Sequence, residues 1–170
     1  MIVFETKLAQ ILDQLPDITD INGNVFKPRF NWGTQDVLNK FIALPENISK
    51  YPLIWLVNGV DSLNVTKDVA TRNNCRLIIA KNSDAPNEFN DFQFQTDYDI
   101  VLNPLLENII KALERSGVSR IIDGDYSVER LPNYSETTNE TKTLAIWNAI
   151  TFDCSLELRG DRCINNIKFN

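Results

Sequence analysis

Histidine is absent from this chain of 170 residues. That absence removes the commonest general base, the commonest metal ligand and the usual activator of a serine or cysteine nucleophile. Cysteine is scarce. Cys75, Cys154 and Cys163 are scattered, odd in number and never spaced as C-x-x-C, so no zinc site is expected. The expectation is buried, reduced thiols in a reducing compartment. Glycine is thin as well: Gly59, Gly117 and Gly124 stand singly as turn or cap residues, and there is no glycine-rich phosphate loop with its lysine. No apolar run approaches the roughly 20 residues that span a bilayer. The opening Met1-Ile-Val-Phe-Glu-Thr-Lys7 lacks the apolar core and cleavage site of a signal peptide. A soluble protein made in a cytoplasm is expected. Basic residues are outnumbered, 17 against 23 acidic ones, for a net charge of -6. This argues against a protein that grips nucleic acid through its phosphates. It is compatible with an acidic wall past which DNA slides.

Apolar residues are plentiful, at 43% with 24% charged, which suits a single globular domain with a real core. The clearest element is Leu102–Gly117. Asn103 can cap a helix there, Pro104 suits the first helical position, and Gly117 stops the run. Leu105, Leu106, Ile109, Ile110 and Leu113 form one apolar stripe. Glu107 lies toward the positive end of this helix, with Lys111 and Arg115 toward the negative end. A first helix is read over Phe4–Leu15 and a short one after Thr34, with an extended piece, Val25–Asn31, between them. Tyr51–Val57 is nearly all apolar, as a strand buried on both faces reads, and Cys75–Lys81 is a second strand. Asp61–Asn74 reads as a β arm or a loop, and Val118–Leu131 as an extended arm. Ile146–Arg159 gives the best strand signal. Ile150, Phe152, Cys154, Leu156 and Leu158 point one way, and Thr151, Asp153, Ser155, Glu157 and Arg159 the other. The expected fold is α+β: a mostly antiparallel sheet with a long helix packed on one face. It makes one domain over residues 1–170, with protruding segments near 59–74, 82–97 and 118–144.

No motif carries chemistry, and no catalytic residue, cofactor or metal is expected. Asp153 and Glu157 share a strand face but lie ~13 Å apart, too far to share one ion. Asp97 and Asp99 flank Tyr98 at a helix entrance, where loop-ending and capping duties outweigh a paired-carboxylate site. Arg159-Gly160-Asp161 and the four N-x-Ser/Thr sequons, at Asn47, Asn64, Asn133 and Asn139, read as chance matches. Trp32, Trp55 and Trp147 have too few basic neighbours for base stacking and suit core or interface positions. The segment Asn82–Asp97 carries Phe89, Phe92 and Phe94 among polar residues. These either pack on their own domain or anchor another subunit, since aromatics are enriched in interface cores. The candidate interface is this aromatic segment, the arm from Tyr126 to Tyr134, and the polar face of the last strand with Asp153 and Glu157.

The order of elements resembles a known family. The pieces are a buried strand Tyr51–Leu56, a strand Cys75–Lys81, an aromatic-bearing segment Asn82–Asp97, a D-x-x-x-x-P-x-L helix Asp99–Gly117, and a final W-x-A-I-x-F-D run Trp147–Cys163. Together they resemble the tail-terminator and neck ring proteins of tailed bacteriophages, above all those of Bacteroides-group phages, crAss-like phages included. The resemblance spans roughly residues 1–165 as a pattern. It implies a structural virion protein: a homo-oligomeric ring, sixfold or twelvefold, between head and tail. Such a ring docks portal-side adaptor and tail proteins while DNA passes through without sequence-specific binding and no membrane is involved. The subunit would reside in the virion neck or tail, and in the host cytoplasm during assembly. The other reading is a non-viral cytoplasmic adaptor that binds a peptide along an open sheet edge.

Overall fold

Runs of branched and aromatic residues set the centre of the molecule. The computed structural model describes residues 3–43, 51–58, 62–82, 94–134 and 147–169. Helix α1 (Phe4–Leu12) buries Phe4, Leu8, Ile11 and Leu12 on one face. A short ribbon follows, β1 (Ile18–Thr19) with β2 (Val25–Phe26), antiparallel. Asp20 closes its turn by accepting the N–H groups of Asn22 and Asn24 and the Asn24 side-chain amide. The Asn24 amide is the largest cause holding the Asp20 carboxyl below its ordinary pKa. Next come β3 (Arg29–Gly33), α2 (Gln35–Ala43), β4 (Leu53–Val57), β5 (Ser62–Val65) and β6 (Val69–Asn82). The second half is a π-helical stretch (Phe94–Leu102), α3 (Asn103–Arg115), β7 (Ser119–Tyr134) and β8 (Trp147–Arg159).

The main sheet has the order β3-β4-β6-β8-β7, with β5 paired to the first half of β6. Among the described residues only the β3–β4 pairing is parallel; the others are antiparallel. The α+β fold with a mostly antiparallel sheet and the long helix on one face is therefore the fold observed. Alternation in β8 is as read from Phe152 onward: Phe152, Cys154, Leu156 and Leu158 are buried with α1 and α3, while Asp153, Ser155, Glu157 and Arg159 are part-exposed on the opposite face; Thr151, expected outward, is buried, because Trp147–Phe152 is covered on both faces. Strand β4 is buried at all five positions because both its faces are covered. Ile54 and Leu56 join the core under α1 and α3, whereas Leu53, Trp55 and Val57 join a second core with Leu38 and Ile42 of α2. That second core was not anticipated. Removing each such side chain from water contributes about 1.5–3 kcal/mol.

Several boundaries differ from expectation. Helix α3 is not capped by Asn103, because the chain is already helical from Phe94 and Leu102 has αR dihedrals. Asn103 instead donates to Asp99 and accepts from Arg130. Pro104 supplies no N–H for a regular i→i−4 bond, and the wider π turns end just before it. Glu107 is thus a mid-helix residue, 4.0 Å from Lys111. Gly117 does end the helix, with φ +73. Of the two readings of Asp61–Asn74, the paired β arm is the one observed, since β5 and the start of β6 form a hairpin. The tail beyond Gly160, for which the residues suggest no element, is anchored. Asn165 N–H donates to the Ser116 C=O at 2.8 Å, Ile167 N–H to the Gln14 side chain at 2.9 Å, and Ile167 is buried. Cys75 and Cys154 are buried, as expected, but Cys163 is exposed on this tail, where no strand or helix covers it.

Candidate functional site

Two bulges disturb the sheet at one level. β6 slips register between Arg72 and Cys75, with Asn74 at φ +57. β7 slips between Ile121 and Tyr126, with Asp123 at φ +59 and Gly124 at φ +72. Both bulges lie opposite Ser155 of β8, so that residue has no ladder partner on either side. Extra residues of this kind bend and twist a strand and re-aim its side chains. Here they open a shallow cleft of about 560 Å³ lined by Asn74, Arg76, Asp125, Tyr126, Ser127 and Asp153 among others. Arg76 crosses it with a two-pronged ion pair to Asp153, 2.8 and 2.9 Å.

The other charged side chains tie elements together. Arg72, nearly buried, meets Glu5 of α1 at 2.6 Å, donates to Asn58 at 3.0 Å and lies 4.5 Å over the Phe4 ring. Asp97, 6% exposed, accepts from Lys81 and from Asn148, both at 2.6 Å, and so fastens the π-helical stretch to the sheet. Tyr98 beside it donates to the Ala149 C=O at 3.2 Å. Asp99 is exposed and bonded to Asn103, so Asp97 and Asp99 do not converge on a common point. No group of three or more acidic, cysteine or histidine side chains arranged to hold a metal occurs among the described residues. No helix there is long and apolar enough to cross a membrane.

Among the described residues three strands keep an open side: the outermost β3 and β7, and the four-residue β5, which pairs only with the first half of β6. β3 pairs only with β4, and β7, a strand of 16 residues, pairs only with β8. A long edge offers a row of main-chain donors and acceptors to another strand. Both outermost edges carry exposed apolar side chains: Trp32, 41% exposed, on β3, and Tyr126 and Val128, 48% and 39%, on β7. Trp32 stacks on Phe30, ring centroids 5.8 Å apart, and Tyr126 tilts against Phe152 at 5.2 Å.

The anticipated interface residues are dispersed. Phe89 and Phe92 lie outside the described residues. Phe94 packs against its own core and stacks on Tyr98 at 5.2 Å, so a part-buried ring occupies the place of an outward anchor. Tyr126 is exposed on the β7 edge, and Tyr134 pairs with Trp147 at its far end. Asp153 is tied to Arg76, and Glu157 accepts from Arg159 at 3.2 Å. The three tryptophans divide: Trp55 and Trp147 are core, and Trp32 faces solvent. Reading the residues missed the β3 edge altogether. The available signal was Phe30-Asn-Trp32 on a strand too short to be central.

Comparison with family models, with curated proteins and with solved structures finds no match for this chain.

Proposed function

We propose that this protein is a structural ring subunit of the neck or tail end of a tailed-phage virion, joining the head side to the tail around the DNA passage. One observation carries the reading: among the described residues the outermost strands of the sheet, β3 and β7, are open on opposite sides, each bearing exposed aromatic surface. A ring needs two unlike patches per subunit that match each other, because a rotation repeated around an axis joins patch to counter-patch rather than patch to itself. The sequence pattern from Tyr51 to Cys163 supports the same reading, and the net charge of -6 suits a passage that does not hold phosphates. Native mass spectrometry and negative-stain microscopy of the purified chain test it. Closed rings of one stoichiometry are expected. A monomer at high concentration, together with absence from virions, would overturn the proposal.

The second reading is an adaptor that captures a peptide strand. The exposed 16-residue β7 edge is the observation that favours it. A stable 1:1 complex with a host protein, and no self-association, is the result that would select it.

A further inference from the structure

Hydrogen-bonding direction alternates along a strand, so the open groups of each edge can be assigned. The Arg29 N–H donates to the Pro52 C=O, and the Asn58 N–H donates to the Gly33 C=O. The odd-numbered residues of β3 therefore bond to β4, and the main-chain groups of Phe30 and Trp32 point outward. The alternation carries across the sheet through the registers Trp55↔Ile78, Leu77↔Phe152 and Glu129↔Thr151. It turns the main-chain groups of Ser127, Glu129 and Leu131 toward β8, and those of Tyr126, Val128 and Arg130 outward.

Direction and side-chain face agree with this. β3 runs parallel to β4 and each further step reverses, so β7 runs opposite to β3. A copy set beside the first in the same orientation meets it antiparallel. Phe30 and Trp32 share the helix-covered face with Ile54 and Leu56, while Tyr126 and Val128 share it with Cys154 and Phe152. A continued sheet therefore places aromatic beside aromatic on that face.

We propose that the β3 edge of one subunit adds to the β7 edge of the next, antiparallel, with Trp32 opposite Tyr126, Asn31 opposite Ser127, Phe30 opposite Val128 and Arg29 opposite Glu129. This deepens the ring reading and rests on it for closure. The register follows from the cross-strand pairs, since aromatic, β-branched and opposite-charge pairs stabilise a sheet and like charges do not. A shift of two residues one way sets Arg29 against Leu131 and Asn31 against Glu129. A shift the other way sets Phe30 against Tyr126 and drives Trp32 into the bulge at Gly124. Only the proposed register keeps the ion pair and the Trp–Tyr pair together. The Trp32 N–H is at present accepted by the Asn31 side chain at 2.9 Å. In the assembled sheet a carbonyl of the neighbour takes that place.

Disulfide trapping tests the contact. Asn31 and Ser127 form a non-hydrogen-bonded pair in this register, with Cα atoms roughly 4.5 Å apart, within the disulfide range of roughly 4.4–6.8 Å. The exposed native thiol is removed first by Cys163→Ser. The doubly substituted chain, Asn31→Cys with Ser127→Cys, is expected to give a ladder of covalent oligomers on mild oxidation, and neither single variant any. A covalent dimer from Ser127→Cys alone means that β7 meets itself, and overturns the inference. A ladder from Asn31→Cys with Glu129→Cys instead overturns the register. Closed rings by native mass without a ladder overturn this contact and leave the ring reading standing. A ladder with only open chains by native mass leaves the contact standing and removes the ring. Charge exchange needs no thiol: Arg29→Glu and Glu129→Arg should each weaken self-association roughly two- to fivefold, and the pair together should restore it. Failure of that restoration counts against the Arg29–Glu129 pairing.

Discussion

Gly117 and Gly124 have nearly the same backbone, φ +73 and +72, and differ in what surrounds them. A Cβ on Gly117 would sit 2.5 Å from the Asn165 amide nitrogen, whereas one on Gly124 meets nothing within 4 Å. Gly124→Ala should therefore cost about 1 kcal/mol, the left-handed penalty alone. Gly117→Ala should cost about 2 kcal/mol, because it also displaces the Asn165 side chain from the Arg115 C=O. Urea denaturation of the two variants checks the difference; equal costs would show that the tail contact contributes nothing. Tyr98 offers a pH test. Burial pushes its hydroxyl up to about 12, with the Ala149 hydrogen bond acting the other way. A tyrosine raised in the folded state contributes stability that is whole below its unfolded pKa near 10 and is lost as pH rises through about 12. Thermal melting temperatures from pH 9 to 12 should fall steeply, and less steeply in Tyr98→Phe. Burial also raises Tyr51 to about 12, so a remnant of the slope should survive in that variant. An unchanged slope would remove Tyr98 from the account.

At the scale of elements, the strongly periodic segments were legible and their junctions were not. β8 and α3 could be read because alternation and a helical stripe are imposed by burial on one side, and the sequence records burial directly. The helix start was misplaced at Asn103 because a capping residue before proline looks the same whether helix precedes it or not. Only the burial of Asp97 and Tyr98 against the sheet reveals the π turns upstream. The tail was illegible for another reason: its anchors are main-chain bonds and single apolar side chains spaced without period. It nonetheless ties α1 to α3, with Ile164 and Phe169 packed on the core, Lys7 donating to the Arg162 C=O at 2.9 Å and the Asn165 side chain donating to the Arg115 C=O. Deleting residues 161–170 should therefore cost about 4 kcal/mol, from the buried Ile167, the part-buried Ile164 and Phe169, and several hydrogen bonds. Amide exchange in the last turn of α3 should accelerate with it. If exchange there stays at wild-type rates, the tail is an ornament on a self-sufficient helix.

For the whole molecule, charge and edges bear on different partners. The edges were half legible: the β7 arm was read from its composition, but β3 became visible as an edge only once the parallel pairing with β4 placed it outermost. Charge was legible from the start, and the structure sharpens what it implies. Arg72, Arg76, Arg159 and Lys81 are each engaged by a carboxylate of the same chain, which withdraws part of the positive charge from phosphates. Binding to duplex DNA gains its affinity from released counterions, and each release needs a cation set against a phosphate. With a net charge of -6 and part of its positive charge paired within the chain, the assembled protein should leave the fluorescence anisotropy of a labelled duplex unchanged at about 0.15 M salt. Lowering the salt should not create binding either, since weaker screening strengthens repulsion as well as attraction. Micromolar binding that falls steeply with added salt would mean that oligomerisation gathers the remaining basic residues onto one surface. A ring of the kind proposed would then grip DNA rather than let it slide.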